Sequence, residues 1–521
     1  MELRKKMIHM NKLKGKAMTQ ITLDEDFNLP ETKADMSHII ISQADTISES
    51  VKVMDDKAVV KGRIVFEILY ASESGSAENY SGVISFEEPV HFEGLVSGDY
   101  VQPHLVLEDM TVSLVNSRKM RVNGVVNLEL KAESLYDEAA GSQVEGEDIL
   151  QSLTRDLNVV QIKVQKKDTF RIREEIEISG NKPNIASLLW RGVQMRNMEC
   201  RPLDGKLNIR GEALVFVIYA GEEEHIPLQW MEKNISFSGE IEVPDCEAGM
   251  VCICGIQMIH KEMEAKPDYD GENRMIAVDL VLELDMKLYA EEKISILSDV
   301  YSPIKEVIPK FGEAHFQKLL VKNAAKCKIA DKIMLEKVEQ PEKILQICNS
   351  TGVIRLDRTV FVEDGLKMEG ALDVTILYMS ANDKNPLQSF TGSIPFSFVA
   401  EAKGIKEDCF WQVTPALEQL TCVMLGNNEI EVRASLMLEL LVMEKLVEPT
   451  IMEVTVQPID EEKLNAIAGI TGYLVKPGDT LWGIARQFYT TIDAIQESNG
   501  LVSDRLKGGE RLLLIRQGES L

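Results

Sequence analysis

The side chains able to do chemistry are sparse and poorly grouped. Cys252 and Cys254 form the one close cysteine pair, as Cys-Ile-Cys. On a strand both thiols would point to one face, which is how a metal site can begin. No second pair, and no histidine at ligand spacing, completes a four-ligand set, so the 8 cysteines read as free and mostly buried thiols. The 7 histidines (His9, His38, His91, His104, His225, His260 and His315) are scattered, none with a companion at triad or metal spacing. The chain has no Gly-x-x-x-x-Gly-Lys phosphate loop, no Gly-x-Ser-x-Gly elbow and no His-Glu-x-x-His helix. Paired carboxylates prove little in a chain with 84 Asp and Glu. The expectation is a protein without catalytic residues, metal or cofactor.

One run stands apart: Tyr473-Leu-Val-Lys-Pro-Gly-Asp-Thr-Leu-Trp-Gly-Ile-Ala-Arg-Gln-Phe488. Tyr473 to Val475 read as a short strand turned by Pro477-Gly478, and Thr480 is a good helix N-cap. Leu481, Ile484 and Phe488 then fall on one helix face. Thr491 caps a second short helix that carries Ile492 and Ile495 and ends at Asn499-Gly500. Arg511-Leu-Leu-Leu-Ile515 closes as a strand on the first, giving a βααβ unit over residues 471–517.

The preceding 450 residues are dominated by a repeat. Gly62-to-Tyr70, Gly211-to-Tyr219 and Gly370-to-Tyr378 share one spacing and one period-two face, namely Ile64, Phe66, Ile68, Tyr70 and their counterparts. A second strand recurs downstream, marked by Leu128-Glu-Leu130, Leu282-Glu-Leu284 and Leu438-Glu-Leu440. Turn dipeptides such as Asn123-Gly124, Asp204-Gly205 and Asp364-Gly365 punctuate the runs. The fold class expected is mainly β: three antiparallel sandwich- or barrel-like domains joined by short helices, then the βααβ unit. The expected divisions are a mobile basic tail at 1–20, repeats at 21–165, 166–325 and 326–456, and a linker at 457–470. The helical spacing of Ile149, Leu150, Leu153 and Leu157 suggests a helix in 142–157, and residues 303–325 suggest another. Asp460 before Glu461-Glu462-Lys463-Leu464 reads as a helix start within the linker.

The formal net charge is −27, which opposes non-specific binding of nucleic acid over most of the surface. The first twenty residues run against it, with Arg4, Lys5, Lys6, Lys12, Lys14 and Lys16 against Glu2. No apolar core of a secretory signal follows them, and no stretch is long and apolar enough to span a bilayer. The expectation is a cytoplasmic protein with no transmembrane segment.

The C-terminal unit closely resembles a LysM domain, through its Val-x-Pro-Gly-Asp-Thr-Leu-Trp-x-Ile-Ala run, its Asn499-Gly500-Leu501 element and its Leu-x-x-Gly-x-x-Leu ending. It departs from the family at Gly508, where proline is usual. The resemblance implies binding of N-acetylglucosamine polymers such as peptidoglycan or chitin. The implied groove lies between Gly478, Asp479, Thr480, Leu481, Trp482 on one side and Asn499, Gly500, Leu501 on the other. Capping alone accounts for Thr480 and Asn499, and core packing for Leu481, whereas Trp482 beside the core face could anchor a partner. The whole architecture resembles the SPOCS-domain spore-coat morphogenetic proteins of clostridial type. That resemblance implies a non-enzymatic scaffold in the mother-cell cytoplasm at the forespore surface. Its LysM domain would dock on the basement-layer coat morphogenetic ATPase and couple coat encasement to cortex formation. The alternative is a peptidoglycan-binding protein of the cortex or cell wall.

Overall fold

A computed structural model describes all residues except 1, 147–148, 223–227, 335–342, 383–384, 427–428, 461, 463–464 and 518–521. Each repeat folds as six strands in two three-stranded antiparallel sheets. The first repeat holds β1 (Glu2–Asn28), β2 (Met36–Met54), β3 (Lys57–Ser72), β4 (Ala77–His91), β5 (Tyr100–Asn116) and β6 (Lys119–Glu145). Its sheets run β2-β3-β4 and β1-β6-β5. The second repeat follows as β7 (Gln151–Glu177), β8 (Ile185–Leu203), β9 (Lys206–Gly221), β10 (Gln229–Glu242), β11 (Val251–Pro267) and β12 (Asn273–Tyr301). The third follows as β13 (Glu306–Met334), β14 (Ile344–Val362), β15 (Gly365–Ser380), β16 (Leu387–Glu401), β17 (Phe410–Met424) and β18 (Glu429–Gln457). Sheet order is the same in each.

The two strand families visible in the sequence are the middle strands of the two sheets. Ile64, Phe66, Ile68 and Tyr70 on β3 and Val122, Val126, Leu128 and Leu130 on β6 are all fully buried between the sheets. Middle strands have both neighbours paired and one face in the core, so their alternation is the cleanest. The inward tyrosines also reach the chain that enters each repeat: Tyr70 Oη donates to Ala34 O at 3.0 Å, and Tyr219 Oη to Pro183 O at 3.4 Å. Arg118 and Arg274 hold the same two entry turns, the first through Asp35 (2.5 Å) and Pro30 O (2.8 Å), the second through Asn184 (2.8 Å) and Ser179 O (2.9 Å). The corresponding entry to the third repeat, around Pro341, lies outside the described residues.

Three expectations are corrected. The basic start is a strand, because β1 pairs along β6 from Glu2↔Glu145 to Asn28↔Lys119. Its cations meet the acidic body: Arg4 with Glu145 (2.7 Å), Lys6 with Glu292 (2.5 Å), Lys14 with Asp99 (2.7 Å) and Lys16 with Glu129 (2.7 Å). The segments expected to be bridging helices are strands as well. Residues 151–157 begin β7 and residues 306–325 lie in β13, each paired with the far half of the middle strand of its own repeat. Pairing of long strands overrode a local helical spacing. Each repeat therefore opens with this strand, at Glu2, Gln151 and Glu306, rather than near residues 21, 166 and 326. The helix-start pattern at Asp460 falls largely on residues outside those described.

The repeats pack around a common axis. At one level Ile40, Leu189 and Cys348 meet Leu69, Ile218 and Leu377, one residue of each trio from each repeat. The first trio sits at β-bulges in matching positions, between Ile39/Ile41, Leu188/Trp190 and Ile347/Asn349. A bulge re-aims the extra side chain away from the sheet's own alternation. At a second level Ile8, Met10 and Ala140 pack with Val159, Ile294, Ile296, Ala314 and Phe316, again from all three repeats. Between the first two repeats lies a charged network. Lys287 Nζ donates to Glu133 Oε2 at 2.7 Å, with both side chains about 95% buried (5% and 4% exposed). Asn11 also donates to Glu133 (2.9 Å), and Tyr100 and Gln102 donate to Asp285 at 2.6 and 2.7 Å. Burial alone would raise the Glu133 pKa, but Lys287 and Lys131 outweigh it and hold it down to about 2.

Candidate functional site

The C-terminal unit is built as its sequence suggests: β19 (Ile470–Leu474), α1 (Leu481–Gln487), α2 (Ile492–Asn499) and β20 (Arg511–Ile515), with β19 and β20 antiparallel. Thr480 caps α1 by accepting from Gly483 N at 3.1 Å, and Thr491 caps α2 by accepting from Ala494 N at 3.1 Å. Leu481, Ile484, Ala485, Ile495, Leu512 and Leu514 form its core. Gly500 ends α2 in the left-handed region at φ 64°, and Gly478 turns the first loop at φ 92°, where any other residue would be strained.

Structural work occupies several of the candidate groove residues. The Asp479 carboxylate accepts from Lys476 N and from Tyr473 Oη, each at 2.8 Å, and these bonds lower its pKa. It thereby locks the turn that presents Gly478. The Asn499 carboxamide clips α2 onto β20, donating to Leu513 O at 2.8 Å and accepting from Leu513 N at 2.7 Å. Leu481 is buried in the core, and Leu501 packs at its edge. Gly478, Thr480 and Gly500 are exposed, and so is Val502, which the sequence did not single out. The two loops approach at Gly508, where a Cβ would meet the Pro477 ring at 3.8 Å, an ordinary van der Waals contact, so the backbone there has room for a side chain.

Trp482 points to the repeats instead of outward. Its indole Nε1 donates to Asp299 Oδ2 at 2.8 Å, and its ring stacks edge-to-face on Tyr301 with centroids 4.8 Å apart. Arg486, one turn further along α1, donates to the same Asp299 oxygen at 2.5 Å. Tyr301 Oη donates to Thr490 O at 3.0 Å, and the Tyr301 ring, 4% exposed, belongs to the core of the C-terminal unit. The far end of β12 thus inserts into the unit and clamps α1. Asp299 and Tyr301 lie two apart on a strand, on one face, but nothing in their local sequence marks them as a docking site.

The chemistry elsewhere is quiet. All eight cysteines are free. Cys200 and Cys254 thiols are within hydrogen-bonding reach, and this contact, followed by burial, pushes the Cys254 pKa upward. Burial does the same to Cys252. Thiols held protonated are poor nucleophiles and poor metal ligands. Among the described residues no cluster of His, Cys, Asp and Glu is arranged to hold a metal ion, and no helix is long and apolar enough to cross a membrane.

Comparison with known families places both parts. The family described as "SipL, SPOCS domain" matches residues 35–115, 184–266 and 343–425, one segment in each repeat, and the LysM domain family matches residues 473–514. The chain is a SPOCS-domain protein that ends in a LysM domain. Each SPOCS match runs from the second strand of a repeat through the fifth, so the strand that opens the repeat and the long one that closes it lie outside the match. The LysM domain is 46% identical over 46 residues to a probable endopeptidase p60 of Listeria welshimeri and to another of Listeria monocytogenes, and 44% identical to one of Listeria seeligeri. These matches cover 9% of this chain and about a tenth (9–10%) of each relative. No solved structure matches the chain. SPOCS and LysM domains are binding domains.

Proposed function

We propose that this protein is a non-enzymatic scaffold of endospore envelope assembly, whose LysM domain docks on the basement-layer coat morphogenetic ATPase at the forespore surface. It would work in the mother-cell cytoplasm and couple coat encasement to cortex formation. The observation that carries the scaffold reading is the clamp of Asp299 and Tyr301 on Trp482 and Arg486. It joins the LysM domain to the repeats while Gly478, Thr480, Gly500 and Val502 stay exposed. A module held this way transmits position, which is what a scaffold must do. In this reading the partner meets the loops around Gly478 to Leu481 and Asn499 to Val502, and Trp482 orients the module instead of touching the partner.

The test pairs two assays on the full chain: co-purification of the coat ATPase, and sedimentation with purified peptidoglycan. Capture of the ATPase, lost on exchanging Gly500 and Val502 for bulky charged residues, supports the scaffold. Sedimentation without capture supports a peptidoglycan-binding protein of the cortex or cell wall, the reading favoured by the LysM family match.

A further inference from the structure

Beside the axial core, where β2, β8 and β14 face one another, lies a cavity of about 580 Å³. That is within the usual size range of small-molecule sites, roughly 300–1,000 Å³. Its walls include Ile41, Trp190 and Asn349, which occupy the same position in the three repeats immediately after the shared bulge. The first repeat fills this position with an aliphatic side chain, so packing at the junction does not require a polar group there. The other two repeats nevertheless place hydrogen-bonding groups in it.

Trp190 is 3% exposed and Asn349 8%, and both side chains line the cavity. Arg196, on the same wall, donates from Nη2 to Gln194 Oε1 at 2.8 Å, and Gln194 in turn donates to Gly352 O at 2.9 Å. The Arg196 Nε is buried without a partner, and the carboxylates of Glu232 and Glu212, the latter opposite Arg196 across the sheet, act on its guanidinium electrostatically. The second cation at the cavity, Lys261, is already engaged by Glu67 (3.4 Å) and Arg191 O (3.1 Å). Asp45 lies at the exposed rim. Leaving a buried donor unsatisfied costs free energy, and the Arg196 Nε is such a donor, in a wall that Trp190 and Asn349 share with apolar side chains.

We propose that this axial cavity binds a small molecule carrying an oxyanion, carboxylate or phosphate, on an apolar group. The guanidinium of Arg196, the indole N–H of Trp190 and the carboxamide N–H of Asn349 hold the oxyanion, and the aliphatic walls cover the rest. A guanidinium is suited to this because its planar fork matches the geometry of both anions. Occupancy would tie the three repeats together at their common junction.

The test uses the full-length protein with benzoate and phenyl phosphate as probes and benzyl alcohol as the neutral control. Binding is measured by calorimetry and located by the Trp190 indole N–H resonance, one of four such signals, assigned with Trp190→Phe. The expected result is saturable binding of one or both oxyanions with a shift of the Trp190 signal, and none with the alcohol. Binding of only one probe identifies the headgroup. Arg196→Gln and Asn349→Ile should each weaken binding about tenfold or more, the worth of a charge-assisted or buried hydrogen bond. Asn349→Ile, which copies Ile41, should also raise the thermal midpoint of the ligand-free protein, showing that the variant is folded. The proposal is overturned if neither oxyanion binds at millimolar concentration, if the alcohol binds as well, or if both variants bind unchanged. The last outcomes would leave a water-filled packing junction.

Discussion

The SPOCS repeats and the LysM domain are held in opposite ways. The repeats share their interior: side chains from all three meet at two levels on the axis, and a buried ion pair crosses from the first to the second. The LysM domain keeps a core of its own and borrows one residue, Tyr301, from the body. Sheets that expose an apolar outer face must bury it against a neighbour, whereas a small βααβ unit closes on itself. Three repeats, each with its own core, are therefore joined into one body through these shared junctions, and the LysM domain is an attached module whose orientation depends on a clamp.

The sharpest way to break this contrast is truncation at either end. Removing residues 2–20 deletes most of the pairing of β1 with β6 and takes Ile8 and Met10, 0% and 3% exposed, out of the axial core. Each such core side chain is worth about 2–5 kcal/mol on truncation to alanine. Losing both with a strand is comparable to the whole stability of a typical folded domain, about 5–15 kcal/mol. The expected outcome is loss of cooperative thermal unfolding followed by circular dichroism. Removing residues 458–521 should leave that transition in place. A basic end that could be cut without effect would contradict the shared interior.

A smaller effect is expected at the buried pair. Glu133→Ala leaves Lys287 buried and unpaired and should cost about 3–5 kcal/mol, and Lys287→Ala should cost about as much. Replacing both together by apolar residues of similar volume should recover most of it, measured as a double-mutant cycle in urea. The Glu133 pKa falls from 4.5 to about 2 in the folded chain. Its stabilisation is therefore complete above pH 4.5 and is lost as the pH falls toward 2. Glu133→Gln should flatten that acid dependence.

How much of this could be read from residues alone follows the same division. The LysM domain was legible almost residue by residue, because its caps Thr480 and Thr491, its turn at Gly478 and its stop at Gly500 are local devices. The middle strands β3 and β6 and their copies were legible because they alternate cleanly. The strands that open each repeat were not. They lie at sheet edges and carry solvent-facing charges, and β1 shifts register between Arg4/Lys5 and Leu13/Gly15, which breaks a period-two pattern. A signal for the axial packing was present. Near each inward tyrosine the opposite face also turns apolar, with Leu69 and Ala71, Ile218 and Ala220, Leu377 and Met379. What the sequence could not supply was the partner of Trp482, since Asp299 is 183 residues away.

The clamp gives the next prediction. Asp299→Ala removes the acceptor shared by Trp482 and Arg486, and should weaken LysM docking by about 1–3 kcal/mol. It should shift the Trp482 indole N–H resonance while leaving the thermal transition of the repeats unchanged. An unmoved resonance would show that the contact contributes nothing. The smallest effect is expected inside the module. Asn499→Ala frees the edge of β20 at Leu513 and should cost the LysM domain about 1 kcal/mol, with no change in its docking. Local melting of the LysM amides by hydrogen exchange would check it.

The central claim is that the LysM domain rides on the repeats as part of one body with its loops exposed. Backbone amide ¹⁵N relaxation of residues 471–516 in the full-length chain tests this most directly. The account predicts that these amides tumble with the correlation time of the whole chain, and that Asp299→Ala shortens it toward that of a free small domain. Fast, independent tumbling in the unaltered protein would contradict it.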